Sequence, residues 1–450
     1  MQGTIYKTKE AILQRAQELI GIPLGQIDRT GRLVTGKGAI GTVVEESWYG
    51  YTPNSQSEPD FPEAGVELKV IPYLCSKTGI HAKERLVCNI IDYNEEYKKT
   101  FRTSSFWHKC QTILLMVYEN VKDRPKSEYM ISRALLFTVP AEDLAIMERD
   151  WKVIMDKIRA GRAHEISEGD TMYLGACTKG PTAEKSLRSQ PFSEIKAKQR
   201  AYCFKQSYIS HILRTYVFGG EQNEHIIRSI ADLRQRSFED LLIEKLRPYY
   251  GYTQTQLKER FNVISAAKNL NGLLLSRMLG ITGHITNTDE FKKAGIIPKT
   301  IRLQRSGRIR ESVPFPAFDF IRLSNEASWE DSEFYTYLAP AKFMFVIFQE
   351  TDAGDYVFSR VLFWNMPDTD LDEVRKVWER TVNVIRQGVQ LIPTSKGMSN
   401  NLPKASENPV CHVRPHARDA RDQLPLPDGR LMTKQCFWLN SSYIEKQVKE

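Results

Sequence analysis

Glu58-Pro59-Asp60-Phe61-Pro62-Glu63-Ala64-Gly65-Val66-Glu67-Leu68-Lys69 is the stretch on which the reading of this chain turns. The β-branched and apolar residues of 66–74 predict a strand, in which Glu67 and Lys69 project from one face while Leu68 points to the other. Asp60 stands just before Pro62 and Gly65, which predict a chain reversal that returns its carboxylate to the side of Glu67. Two neighbouring carboxylates suit a hard cation such as Mg2+, which takes oxygen ligands and keeps several waters. Such a cation can polarise a phosphate and acidify a water, and Lys69 stands where it can hydrogen-bond that water and balance the phosphate's charge. The same string also fits a solvated stripe on an edge strand, so its surroundings matter.

Upstream, residues 36–50 predict a helix that carries Glu45 toward the same place as a third carboxylate. Downstream, His108 and Lys109 immediately precede the apolar run 113–117, which puts a cation at a strand entrance where a phosphate can be held.

The chain has 450 residues, more than one hydrophobic core usually serves, and two domains are expected. Its composition, 41% hydrophobic and 26% charged, is that of a soluble globular protein. No apolar run is long enough to span a bilayer and the first residues lack a signal-peptide pattern, so no membrane partner and a cytoplasmic location are expected. Seven cysteines without a C-x-x-C pair argue for reduced structural thiols rather than a zinc site. The net charge is +8, and basic residues outnumber acidic ones within 151–218 and again within 251–310. Two separated basic stretches fit a polyanion, although ordinary solvated faces have the same composition.

The halves echo each other. Gly50, Thr52, Phe61, Ala64, Gly65, Lys69 and Ile71 recur, in order and spacing, as Gly280, Thr282, Phe291, Ala294, Gly295, Lys299 and Ile301. Trp151 and Gly161 return as Trp378 and Gly388, and Ser207-Tyr208-Ile209 as Ser442-Tyr443-Ile444. Each copy reads as mixed α and β. Strands are predicted over 66–74, 85–92, 113–118 and 130–139, with helices over 9–20 and 141–159. In the second copy, strands are predicted over 296–303, 318–323, 343–349 and 357–364, a helix over 370–386, and an exposed loop over 391–409. Gly219-Gly220 marks the expected junction. The expected division is a catalytic domain at 1–218, a linker and connecting helix at 219–250, and at 251–450 a catalytically degenerate domain that binds DNA and regulates the first. In that second copy Glu290 replaces Asp60, Ile297 replaces Glu67 and Leu275 replaces Glu45, while Lys299 keeps the place of Lys69. No catalysis is expected there, and Asp289 and Glu290 retain charge for weak cation attraction at most.

These motifs carry a resemblance. Lys37-Gly38, Gly41, Glu45, Gly50 and the run 59–69 resemble the active-site region of the MutH endonucleases, and Ser104-Ser105-Phe106-Trp107-His108-Lys109 resembles that family's phosphate-contacting segment. The duplication, with the segments 82–92, 195–201 and 411–416, resembles the two-domain type II restriction endonucleases of the Sau type, which cut at GATC. The resemblance implies a mixed α+β fold of two tandem MutH-like, restriction-endonuclease-like domains. It implies Mg2+-dependent hydrolysis of double-stranded DNA by Asp60, Glu67 and Lys69 with Glu45 as an auxiliary carboxylate. DNA contacts are implied for Lys37, Lys109, Lys179, Tyr202 and Lys205, and in the second half for Arg414 and Lys434. It further implies a monomer in solution, with a dimer or a looped two-site complex on DNA, and a cognate DNA methyltransferase as genetic partner. A strand-nicking repair enzyme and a DNA-binding protein with a vestigial nuclease centre are the alternatives.

Overall fold

The computed structural model describes residues 6–34, 38–52, 58–77, 79–180, 186–220, 222–227, 229–264, 269–395 and 397–449. It divides into two compact units, one made of Met1–Leu241 with Thr286–Ile296, the other of Leu242–Ile285 with Ile297–Glu450.

The first unit is built on the strands β1 (Glu67–Ser76), β2 (Gly79–Ala82), β3 (Leu86–Ile90), β4 (Ile113–Glu119), β5 (Arg133–Phe137), β6 (Leu174–Thr178), β7 (Leu187–Gln190), β8 (Ser193–Lys198) and β9 (Arg200–Phe204). One mixed sheet runs β2-β1-β4-β5, with β1 parallel to β4 and the outer pairs antiparallel. Its centre is β4, whose unbroken apolar run Ile113 to Val117 is buried throughout, the pattern of a strand covered on both faces. The helix Lys9–Glu18 places Ile12 and Ala16 in one core with Leu68, Leu114 and Met116. A smaller antiparallel sheet, β3-β9-β6, has β9 at its centre with all five residues buried. The helix Ala141–Arg159 follows β5 and opens with Glu142 and Asp143 and closes with Lys157 and Arg159, matching the helix dipole at both ends.

The second unit repeats this order with β10 (Ile296–Leu303), β11 (Val313–Ala317), β12 (Lys342–Glu350), β13 (Tyr356–Trp364), β14 (Leu391–Thr394), β15 (Gly397–Asn400), β16 (Cys411–Pro415), β17 (Gln423–Pro425), β18 (Leu431–Thr433) and β19 (Gln435–Leu439). The sheet β10-β12-β13 answers β1-β4-β5, and β11-β19-β16 answers β3-β9-β6, again with the last strand in the middle. The helix Asp368–Gln387 follows β13 as Ala141–Arg159 follows β5. The fold is therefore mixed α and β, with one architecture used twice.

Three expectations need correction. Residues 318–323 do not form a strand: Asp319 accepts the backbone N–H of Arg322 at 2.9 Å and caps the helix Phe320–Ser324. Within 391–409, the hairpin β14–β15 replaces much of the expected loop. The first unit continues past Gly219-Gly220 to Leu241, because Arg149 on the helix Ala141–Arg159 donates to the carbonyls of Leu233 (3.5 Å) and Arg234 (3.4 Å).

Candidate active site

The turn before β1 closes as its sequence suggests. Phe61 and Val66 exchange backbone hydrogen bonds of 2.9 and 3.2 Å, and Gly65 takes φ +62°, a conformation open to glycine at little cost. The reversal brings the two carboxylate-bearing residues into register. The Asp60 N–H donates to Glu67 Oε2 at 3.2 Å, and the Leu68 N–H donates to Asp60 Oδ2 at 2.9 Å. Each carboxylate is thus held by the backbone beside the other.

Glu67 is 1% exposed and sits at the first residue of β1, opposite Ile113 of β4. Its Oε1 lies 2.7 Å from Lys69 Nζ and 3.6 Å from Lys109 Nζ. Lys109 arrives on the helix Ser105–Cys110, which leads into β4 at Ile113. Ser104 caps that helix by accepting the Trp107 N–H at 3.1 Å. Glu45 comes from the other side, on a π-helical turn Val44–Tyr49 that continues the helix Ala39–Val43. It lines a cavity of about 20 Å³ with Tyr49, Tyr51, Thr52, Asp60, Phe61 and Leu68, room for one water-sized group.

The charges respond to this crowding. Burial, and then the Asp60 charge, push the Glu45 carboxyl up to about 7. Burial also raises Glu67, against the pull of Lys69. Burial acts to lower Lys69, but the adjacent Glu67 carboxylate outweighs it and holds the ammonium charged. A site with three carboxylates and two lysines, in which burial and mutual repulsion work against the charge of Glu45, is one that a divalent cation would relieve.

The donor set fits such an ion. Asp60 and Glu67 supply hard oxygen ligands side by side, and the buried Glu67 carboxylate meets the Asp60 N–H at Oε2 and the two lysines at Oε1. Among the described residues no three His, Cys, Asp or Glu side chains form a ready-made cage. Two protein carboxylates, with the remaining positions left to water and phosphate, are the arrangement in which Mg2+ is ordinarily bound.

The other expected contacts divide. Lys37 lies outside the described residues. Lys179 is half-buried, with its N–H given to the Gln199 carbonyl at 2.8 Å. Arg414 is exposed and stacks on Trp438 at 4.2 Å, and Lys434 pairs with Asp422 at 2.6 Å. Tyr202 and Lys205 must be withdrawn as DNA contacts, since they are 0% and 1% exposed. The Tyr202 hydroxyl meets Glu96 Oε1 at 3.4 Å, and Lys205 Nζ donates to the Thr171 carbonyl at 2.5 Å. The weak cation attraction expected of Asp289 and Glu290 is also withdrawn. Asp289 pairs with Lys293, and Glu290 Oε1 accepts the N–H groups of Ile226 and Ile227.

One supporting residue escaped the reading of the sequence. Glu96, 1% exposed, accepts the Ser105 N–H at 2.9 Å and so anchors the start of the helix that delivers Lys109. In the string Asn94-Glu95-Glu96-Tyr97-Lys98-Lys99 nothing distinguishes it from solvated charge.

Comparison with known proteins adds the class. Residues 49–150 match the family described as DNA mismatch repair enzyme MutH. The MutH proteins of Shewanella woodyi (29% identical, 41% of this chain, 80% of that protein) and Shigella boydii (30%, 46% and 92%) align with less than half of it. The type II restriction enzyme Sau3AI of Staphylococcus aureus is 38% identical over 99% of both chains. The protein is thus an endonuclease with a MutH-like domain. It belongs to the family of the type II restriction enzyme Sau3AI and is a site-specific deoxyribonuclease.

Proposed function

We propose that the first unit hydrolyses both strands of double-stranded DNA at GATC with Mg2+, through Asp60, Glu67 and Lys69, and that the second unit binds DNA without cutting it. The observation that carries this reading is the convergence of Asp60, Lys69 and Lys109 on the buried Glu67 carboxylate, set against Ile297 at its counterpart in the second copy. Asp60 and Glu67 would hold the cation, with Glu45 as the auxiliary carboxylate beside Asp60. When bound, Mg2+ stabilises the charge that builds on the phosphate and acidifies a water. Lys69 Nζ orients that water for in-line attack, and Lys109 holds the phosphate on which it acts. In the second copy, isoleucine and leucine at the places of Glu67 and Glu45 supply no ligand, while Lys299 donates to the Pro314 carbonyl at 3.1 Å. Arg414 and Lys434 then serve DNA contact alone.

GATC comes from the Sau-type resemblance. A cytoplasmic protein, monomeric until it meets DNA and accompanied by a cognate methyltransferase that protects host sites, completes the reading. Among the described residues no helix is long and apolar enough to cross a membrane.

Plasmid DNA bearing GATC sites, incubated with Mg2+ and either wild-type protein or Glu67→Ala, tests the assignment. Linear product is expected from the wild type, and a rate lower by about a thousandfold from the variant. Nicked circles alone would favour the strand-nicking reading, and undiminished cutting by the variant would remove Glu67 from the site.

A further inference from the structure

In the internal repeat Glu290 stands opposite Asp60 and Phe291 opposite Phe61, so the segment Thr286–Ile296 is the second copy's version of the carboxylate-bearing turn. Its surroundings are different. The segment belongs to the first compact unit, although the chain on both sides of it, Leu242–Ile285 and Ile297–Glu450, belongs to the second. It forms the helix Asp289–Ala294, in which Asp289, Glu290, Phe291, Lys293 and Ala294 are buried.

The socket is polar and specific. Lys293 Nζ lies 2.8 Å from Asp143 Oδ1 and 2.7 Å from Asp289 Oδ2, and the Lys293 and Asp143 side chains are only 5% and 2% exposed. Asp143 also accepts the Tyr208 hydroxyl at 2.9 Å. Glu290 Oε1 takes the N–H groups of Ile226 and Ile227, both at 2.9 Å, while the Asp289 N–H donates to the Glu224 carbonyl at 3.0 Å. The Ser207 hydroxyl donates to the Lys293 carbonyl at 2.9 Å. Gly295 takes φ +64°, and a Cβ there would lie 3.0 Å from Ser207 Oγ, so the close approach needs glycine. Both acidic residues of this turn therefore meet protein groups, Asp289 through Lys293 and Glu290 through its Oε1.

The socket also reaches the catalytic strand. Ser207 and Tyr208 lie on the helix Gln206–Ile212, whose Ser210 Oγ accepts the Ala82 N–H at 3.0 Å and whose Gln206 Nε2 donates to the Ala82 carbonyl at 2.9 Å. Ala82 pairs with Tyr73 of β1, the strand that begins with Glu67.

We propose that residues 286–296 are a docking element of the first unit, a plug made from the second copy's carboxylate turn that braces the helix Gln206–Ile212 beside the catalytic strand. The partner surface is the socket formed by Asp143, Ser207, Tyr208 and residues 224–227. This assignment does not depend on the DNA sequence cut or on the metal used.

Amide hydrogen exchange on the full chain tests it, comparing wild type with Lys293→Met, Asp143→Asn, the double variant and Lys293→Arg. Lys293→Met strands the Asp143 and Asp289 charges, and Asp143→Asn removes the charge that Lys293 meets across the socket, so each single variant should raise exchange about tenfold or more in 289–294 and 206–212 together. The double variant should show no more than the larger single effect, and Lys293→Arg should stay near wild type. Faster exchange confined to 289–294, or additive effects, overturns the proposal. Should Lys293→Met fail to fold, Glu290→Gln gives a second reading: faster exchange at 224–227 and 289–294 supports the plug, and wild-type protection there sinks it. Because the readout is exchange, its failure is separable from failure of the cleavage reading.

Discussion

Glu45 is the residue whose titration best reports the crowding of charge in the site. Burial and the Asp60 charge raise its carboxyl from the ordinary 4.5 to about 7. The folded protein therefore holds more protons than the unfolded chain between those values, and this group's contribution to stability is lost as pH rises through that window. In metal-free buffer the wild type should melt at progressively lower temperature as pH rises from about 5 toward 8, and Glu45→Gln should flatten that slope. With Mg2+ the variant should cut about 10- to 100-fold more slowly, as expected for a residue supporting the ligands. A melting profile identical in slope for both proteins would show that Glu45 does not titrate there.

The helix Ser105–Cys110 is short, yet it sets the distance between Lys109 and Glu67. Six residues cannot sustain a helix alone, so its ends must be held from outside. Ser104 caps the Trp107 N–H, and the buried Glu96 takes the Ser105 N–H. Ser104→Ala should cost about 1 kcal/mol of stability and lower the cleavage rate more than DNA affinity, since Lys109 would wander from the phosphate. Chemical denaturation alongside single-turnover cleavage measures both. A full loss of binding with the rate per bound complex intact would place the helix in DNA capture instead. The same element explains why position 109 was easily noticed and position 96 was not. His108-Lys109 abuts an apolar run, whereas Glu96 becomes special only through a backbone N–H nine residues away and the Tyr202 hydroxyl on β9.

Across the whole molecule, one architecture is used twice. The first unit keeps the carboxylates; the second keeps the sheets and an exposed basic surface on which Arg414 lies over Trp438. If that surface binds DNA, Arg414→Ala should weaken binding about equally across sequences. It should also reduce the slope of log affinity against log salt by about one counterion. An unchanged salt slope would relieve Arg414 of that role. The docked segment Thr286–Ile296 makes removal of the second half more than a subtraction, because truncation also strips Asp143 of its buried partner.

The geometry of the candidate centre was legible along the chain because its parts are close in sequence and obey local rules. Pro62 and Gly65 make the turn, the two-residue period of a strand puts Glu67 and Lys69 on one face, and Ile297 in the duplicate shows that the fold does not need a carboxylate at that place. Burial of charge was not legible. Tyr202 and Lys205 looked like DNA contacts, and Asp289 and Glu290 like a relic of a cation site, until partners distant in sequence enclosed them. A charged side chain survives inside a protein only if such partners satisfy it. Those partners are chosen by the packing of the whole chain, which local pattern does not encode.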